Sequence, residues 1–430
     1  MKILHLLSSL EYGGAAKQAL VLGRGLAATC DLRVCALHTE GPWAKSLRAA
    51  GLTVQSLHWT QLIGPMHIWR LRRLLCDLQP DRIHVWRPQA LRMLGLAGRE
   101  FLPRCIVSQA LPGDRGPARL GMVDRWLLSR VFRIVAAGAA EAESLQRLGF
   151  GHERVDVIPP GVELEQNASE LAIDGIPVRP DGRNHVRPAA DVPGRRIVCL
   201  GNLRRNKGFC EALRAADYLT YSFADLHLSI IGSGPFLTSL KRFQEGVYHQ
   251  NNVHFLGTRA DAGAYLADAD ICWVPSLTAT GRQVALEAMA AGRPVIASDL
   301  PHFREIIVDG VSGLLVPPGN KTALAGRTRQ LFLDDAWRRR LGEAGRQRVT
   351  DHFAAADFVA RCSALYGLDT SVVFLQTASR PRFSIATAEP SRNNAWNAAT
   401  SAPAGANSER HTRLDEYAHA AQDDHAGHLP

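Results

Sequence analysis

The carboxylate of Glu287 is the group in this sequence most in need of an explanation. It stands in a helical stretch, Gln283–Ala291, whose other residues are mostly small or apolar, so it must find a partner. Two ribose hydroxyls, each donating a hydrogen bond, would serve; so would a nearby arginine. Upstream, Gly201-Asn202-Leu203-Arg204-Arg205-Asn206-Lys207-Gly208 joins a strand to a helix. It matches no Walker loop, but it sets three cations near a helix amino end, where a diphosphate could lie. Ile231-Gly232-Ser233-Gly234-Pro235 follows the next strand. A lone GxG is a weak dinucleotide signal, and Pro235 can simply open a helix. Near the start of the chain, Gly13-Gly14 sits between a strand and a helix. Two glycines let backbone approach a ligand and leave helix N–H groups open to an anion, although an ordinary strand-to-helix turn would look the same. Asp268-Ala269-Asp270 has the form of a metal-binding pair, but it precedes a strand and reads as a solvated helix end.

The elements that must position these groups alternate between short apolar runs and amphipathic stretches. Ile3–Leu7, Leu32–Leu37, Val54–Leu57, Arg82–Trp86, Cys105–Ser108, Ile134–Ala137 and Val155–Ile158 read as strands, with helices such as Ala15–Ala28 and Ile68–Gln79 between them. After VIPPGVE (Val157–Glu163) the pattern stops. Residues 166–196 are polar and proline-rich, a linker or inserted loop that contains the sequon at Asn167. The alternation restarts with strands Ile197–Leu200, Leu226–Ile231, Val253–Leu256, Ile271–Val274, Pro294–Ala297 and Gly313–Val316. Helices fit between these, and Asp334–Leu368 reads as helical. The chain is therefore expected to hold two α/β units, residues 1–165 and 197–351, each a parallel sheet covered by helices. A terminal helix at 352–368 would pack back on the first unit. Residues 369–430, rich in Ala, Ser, Asn and Thr, form a disordered tail.

Composition narrows the class. The chain has 430 residues, 46% of them hydrophobic, enough for two cored domains. No run approaches the roughly 18 consecutive apolar residues of a membrane span. The opening MKILHLLSS reads as a buried first strand rather than a signal peptide. The eight cysteines show no CxxC and no His/Cys cluster, which argues against zinc and fits reduced thiols in a cytoplasmic setting. The net charge of +9 is concentrated: residues 60–133 hold 13 arginines against 5 acids. HIWRLRRLL (His67–Leu75) reads as a basic amphipathic helix, either a solvated face or part of a region, 67–133, that rests on anionic lipid at the inner face of a membrane. No nucleic-acid recognition motif accompanies the charge.

Taken together, Gly13-Gly14, VIPPGVE, the Gly201…Lys207-Gly208 turn, IIGSGP, NVHFLGT, and LEAMAAGRPVIASDLPHFREII followed by GLLVPPG resemble the retaining nucleotide-sugar glycosyltransferases of family 4. The resemblance covers residues 1–368. It implies the GT-B architecture, two tandem Rossmann-like domains facing a central cleft, and transfer of a sugar from a nucleotide-diphosphate sugar to an acceptor with retention of configuration and without a metal cofactor. It implies that Lys207 neutralises the donor diphosphate, that Glu287 binds the ribose hydroxyls, and that backbone amides around Gly281, Arg282, Gln283 and Val284 hold sugar and phosphate. Gly13 and Gly14 would face the diphosphate from the other domain, and Asn202, Arg205 and Gly232 would border the donor.

Three positions depart from the family pattern: Ala279 where the family has a glutamate, Asn202 where it has an arginine, and Gln109 where a histidine is common. Arg204 or Arg205 would then supply the missing charge, and His84 would be the nearest site histidine, or else a core residue. The acceptor is not read from the sequence. A sugar-nucleotide epimerase and a binding protein without transferase activity fit the same residues.

Overall fold

A computed structural model describes residues 1–11, 13–38, 40–59, 64–109, 111, 120–164, 194–246, 252–259 and 261–368. The sequon, most of the 166–196 linker and the 369–430 tail fall outside the described residues. Seven parallel strands build the first sheet: β1 (Lys2–Leu7), β2 (Asp31–Ala36), β3 (Thr53–Ser56), β4 (Arg82–Trp86), β5 (Cys105–Ser108), β6 (Arg133–Ala136) and β7 (Val155–Val157), in the order 3-2-1-4-5-6-7. Six more build the second: β8 (Arg195–Leu200), β9 (Leu226–Ile231), β10 (Val253–Gly257), β11 (Ile271–Val274), β12 (Val295–Ser298) and β13 (Leu314–Val316), in the order 10-9-8-11-12-13. Every strand read from the apolar runs is present, displaced by at most two residues. The first of them, at the chain's start, lies inside the sheet, paired with β2 and β4.

Parallel strands connected by helices bury both faces, and each sheet accordingly separates two apolar clusters. In β1, Leu4 and Leu6 enter one cluster while Ile3 and Leu7 enter the other, the alternation that a strand's period of two requires. In the second sheet Ile197 and Cys199 face one side and Val198 the other.

The helical stretch from Asp334 to Leu368 divides close to the boundary expected at 352. Asp335–His352 ends where Ala354 adopts an extended conformation, and Ala355–Tyr366 follows. The break has a cause: Val162 N donates to Phe353 O and Ala355 N donates to Val162 O, a one-residue bridge between the end of the second domain and the strand exit of the first. Ala355–Tyr366 then lies against the Gly14–Leu26 helix, placing Phe358, Val359, Cys362 and Tyr366 in the first domain's core.

Candidate functional site

In open parallel sheets the carboxyl ends of the strands form the ligand crevice. Here the loops leaving both sheets meet around a single cleft of about 1670 Å³, larger than the roughly 300–1,000 Å³ of a typical ligand pocket and so roomy enough for two substrates. Ser8 and Ser9 after β1, Arg87 after β4, Gln109 after β5, Gly201 and Asn202 after β8, and Gly232 after β9 all line it.

The second domain supplies the loop Leu277–Gly281 and the Arg282–Ala290 helix that follows β11. Gly281 caps this helix at φ +97°, and a Cβ there would sit 2.8 Å from Cγ1 of Val274, so both conformation and space call for glycine. Glu287, Gln283 and Val284 face the cleft from this helix, and Lys207 and Gly232 stand beside it. Opposite them, Gly13 and Gly14 line the cleft from the first domain, and a Cβ on Gly14 would lie 3.6 Å from Cβ of Gln283. The two domains thus approach each other to near contact along the Gly14–Leu26 and Arg282–Ala290 helices.

Polar links among the described residues join the two domains around that approach. Nζ of Lys17 lies 2.8 Å from Oε1 of Glu287. Gln18 donates to Oε1 of Gln283 at 2.8 Å, while its own amide exchanges two hydrogen bonds with the Gly161 backbone. Arg282 donates to the Ala137 carbonyl and, at 2.8 Å, to Oε2 of Glu305. Glu305 Oε1 accepts from the Ala140 backbone at 2.6 Å, so a carboxylate of the second domain caps a helix of the first. Glu287 therefore pairs with a lysine of the facing domain rather than with the arginine that its surroundings admitted. Lys17, Gln18 and Glu305 carry no local signature; only the docking of the two domains makes them partners.

Two expectations need correction. His84 does not reach the cleft. It occupies the middle of β4, three residues short of the strand-end position Arg87, and it is fully buried. Its ring bonds Tyr366 Oη through Nδ1 and Ser108 Oγ through Nε2, and it stacks on Trp86 at 4.4 Å. Burial, reinforced by the neighbouring His5, drives its pKa well below the ordinary histidine value. Arg204 and Arg205 also lie off the cleft. They lead into a 3-10 turn, Arg205–Lys207, which rotates successive side chains by about 120°. Only Lys207 of the three cations lines the cavity, and the Arg205 guanidinium lies over the Phe236 ring at 5.7 Å.

Asp268-Ala-Asp270 stays structural: Asp270 accepts from the Arg196 backbone and faces Arg338. Among the described residues no cluster of His, Cys, Asp or Glu could hold a metal ion, and no helix is long and apolar enough to cross a membrane. In the basic region, the Pro65–Leu78 helix buries Leu71, Leu75 and Leu78 but leaves Met66 and Trp69 exposed. In the same region the Met122–Leu128 helix exposes Met122, Val123 and Trp126, with the guanidinium of Arg130 over the Trp126 ring at 3.9 Å.

Comparison with known proteins agrees with this geometry. Residues 12–166 match the model of "Glycosyltransferase Family 4", and residues 194–334 that of "Glycosyl transferases group 1". The chain is 31% identical over 292 residues to a phosphatidyl-myo-inositol mannosyltransferase of Mycobacterium leprae, a match covering 65% of this chain and 71% of the relative. It is 26% identical to the N-acetyl-alpha-D-glucosaminyl L-malate synthase of Bacillus anthracis, over 40% of this chain and 44% of that protein. The fold superimposes on Anabaena HepE in complex with UDP and glucose at a TM-score of 0.70 and 18% identity, covering 85% of this chain and 99% of the other.

Proposed function

The chain belongs to glycosyltransferase family 4, a nucleotide-sugar-dependent family with the GT-B fold, and from that premise we propose that it transfers a hexose with retention of configuration to a lipid-linked acceptor at the inner face of a membrane. The observation that carries the donor side is the convergence of Lys207, Glu287 and the amino end of the Arg282–Ala290 helix on one cleft wall. A lysine and a helix amino terminus suit a diphosphate, and a carboxylate suits a ribose diol. Charge developing on the departing diphosphate would be met by Lys207 and the amides of residues 281–284, so no metal is called for. The transferred sugar would then lie in the cleft between the loop Leu277–Gly281 and the first domain.

The acceptor side rests on separate support. Met66, Trp69, Met122, Val123 and Trp126 stand exposed on helices of the arginine-rich first domain, a composition suited to anionic lipid, and the Mycobacterium leprae relative is named a phosphatidyl-myo-inositol mannosyltransferase. The test of the donor site is calorimetry with UDP-glucose and GDP-mannose on wild type, Lys207→Ala and Glu287→Ala. Each substitution should weaken the bound donor about tenfold or more; unchanged affinity in both would remove these residues from the site. Incubation of donor without acceptor separates transfer from epimerisation, since only an epimerase would then change the sugar.

A further inference from the structure

His302 lies in the short Pro301–Arg304 helix that follows β12, lines the cleft, and is only 7% exposed. Its ring bonds the backbone of Thr280 in a way that raises its basicity, as an N–H donating to a carbonyl does. Burial outweighs that bond, and the charges of Arg282 and Lys207 add to burial, so the ring is neutral with a pKa of about 3. A neutral imidazole with one N–H committed has a bare lone pair on its other nitrogen. That nitrogen is Nε2, which is buried and has no hydrogen-bond partner. On the adjacent loop, Oγ1 of Thr280 is likewise buried and without a partner, and Thr280 also lines the cleft.

An unmet acceptor beside two cations selects its ligand. A phosphate oxygen at neutral pH brings no hydrogen to a lone pair; a sugar hydroxyl does, and the same hydroxyl can accept from a threonine. We propose that His302 Nε2 and Thr280 Oγ1 form a hydroxyl-binding subsite for the transferred sugar and help set which nucleotide sugar is accepted. This rests on the donor reading given above: Lys207 and the loop of Thr280 belong to the wall assigned to the diphosphate, and the sugar is the hydroxyl-bearing group attached to it.

The experiment compares two dissociation constants in each protein, for UDP against UDP-glucose and for GDP against GDP-mannose, by calorimetry. His302→Phe and Thr280→Val remove the polar atoms while keeping bulk, and His302→Gln keeps an acceptor. In His302→Phe and Thr280→Val the nucleotide sugar should weaken by roughly tenfold while the bare diphosphate binds as in wild type. His302→Gln should recover most of the loss. Equal weakening of both ligands would mark a role in shaping the loop, and no change in either would mark a site filled by water; both results overturn the subsite. Failure of wild type to bind any of the four nucleotides would instead overturn the donor reading itself.

Discussion

Nζ of Lys17, in the second turn of the helix that follows Gly13-Gly14, lies 2.8 Å from Oε1 of Glu287 in the facing domain. Gln283 donates to the same oxygen at 2.9 Å. With side chains 11% and 15% exposed, the pair is shielded well beyond a surface ion pair, so removing one partner strands the other. Lys17→Met should therefore lower stability by about 1–3 kcal/mol, between the ranges for exposed and fully buried pairs. Adding Glu287→Gln should restore part of that loss, because the orphaned carboxylate is gone. Thermal unfolding of the two single variants and the double variant measures the coupling. Strictly additive midpoints would mean that the two charges do not sense each other.

Tyr366 joins the last described helix to the middle of the first sheet. Its hydroxyl meets Nδ1 of His84 and, at 3.1 Å, Nε2 of His5, residues that are register partners on β1 and β4. One consistent assignment has His5 donating to the phenol oxygen, the phenol donating to His84, and His84 donating to Ser108. Tyr366→Phe leaves two buried ring nitrogens unmet and should cost roughly 1–3 kcal/mol at neutral pH.

The same histidines set an acid limit. Burial holds the pKa of His5 at about 3, against 6.5 for a free ring. Between those values the unfolded chain binds a proton that the folded chain does not, so stability falls as pH drops from about 6.5 toward 3 and is fully present above that window. His302, also held at about 3, adds with the same sign. Unfolding midpoints measured from pH 8 to pH 4 should be level at the alkaline end and decline below about 6.5; a midpoint rising on acidification would contradict the buried, neutral assignment.

The fold was legible because parallel strands buried on both faces read as unbroken apolar runs such as Ile271–Val274, and each run stands between helical stretches. The cleft was legible in part for a related reason: ligand loops follow strand ends, so Gly201, Gly232 and the loop after Val274 fall at positions the strands already mark. His84 failed that rule and could have been placed in the core by it, since it sits mid-strand. What local sequence cannot encode is the docking of two separate sheets. Lys17, Gln18 and Glu305 take their roles from partners more than 100 residues away, and the turn of Arg205–Lys207 decides which of three adjacent cations faces the cavity.

Exposed apolar residues on helices of the arginine-rich region make the proposed contact with anionic lipid testable. Met122 is 90% exposed and Trp69 52%, and the Arg73 guanidinium lies over the Trp69 ring at 5.5 Å. Vesicles containing phosphatidylglycerol should sediment the wild-type protein, and neutral phosphatidylcholine vesicles should do so much less. Trp69→Ser combined with Met122→Ser should reduce partitioning by about tenfold, and raised salt should reduce it further, since apolar insertion and screened charge both contribute. Equal partitioning of the double variant would remove these residues from the proposed membrane contact.

Glu305 offers the most direct handle on closure of the cleft. One oxygen accepts from Ala140 at the start of a first-domain helix, and the other accepts from Arg282, which also donates to Ala137. The carboxylate is thus a strut between domains that leaves the Arg282–Ala290 helix in place beside it. Glu305→Ala removes a charge-assisted helix cap and frees the Arg282 guanidinium from its main partner, a loss of about 1–3 kcal/mol. For domains of this size that should lower the unfolding midpoint by roughly 2–10 °C. Because the strut spans the cleft, the variant should also open in solution. Small-angle scattering should show a larger radius of gyration than wild type without ligand, narrowing again when a nucleotide sugar bridges the two walls. An unchanged radius with a lowered midpoint would confine Glu305 to local capping and leave Lys17–Glu287 and Gln18–Gln283 to hold the domains together.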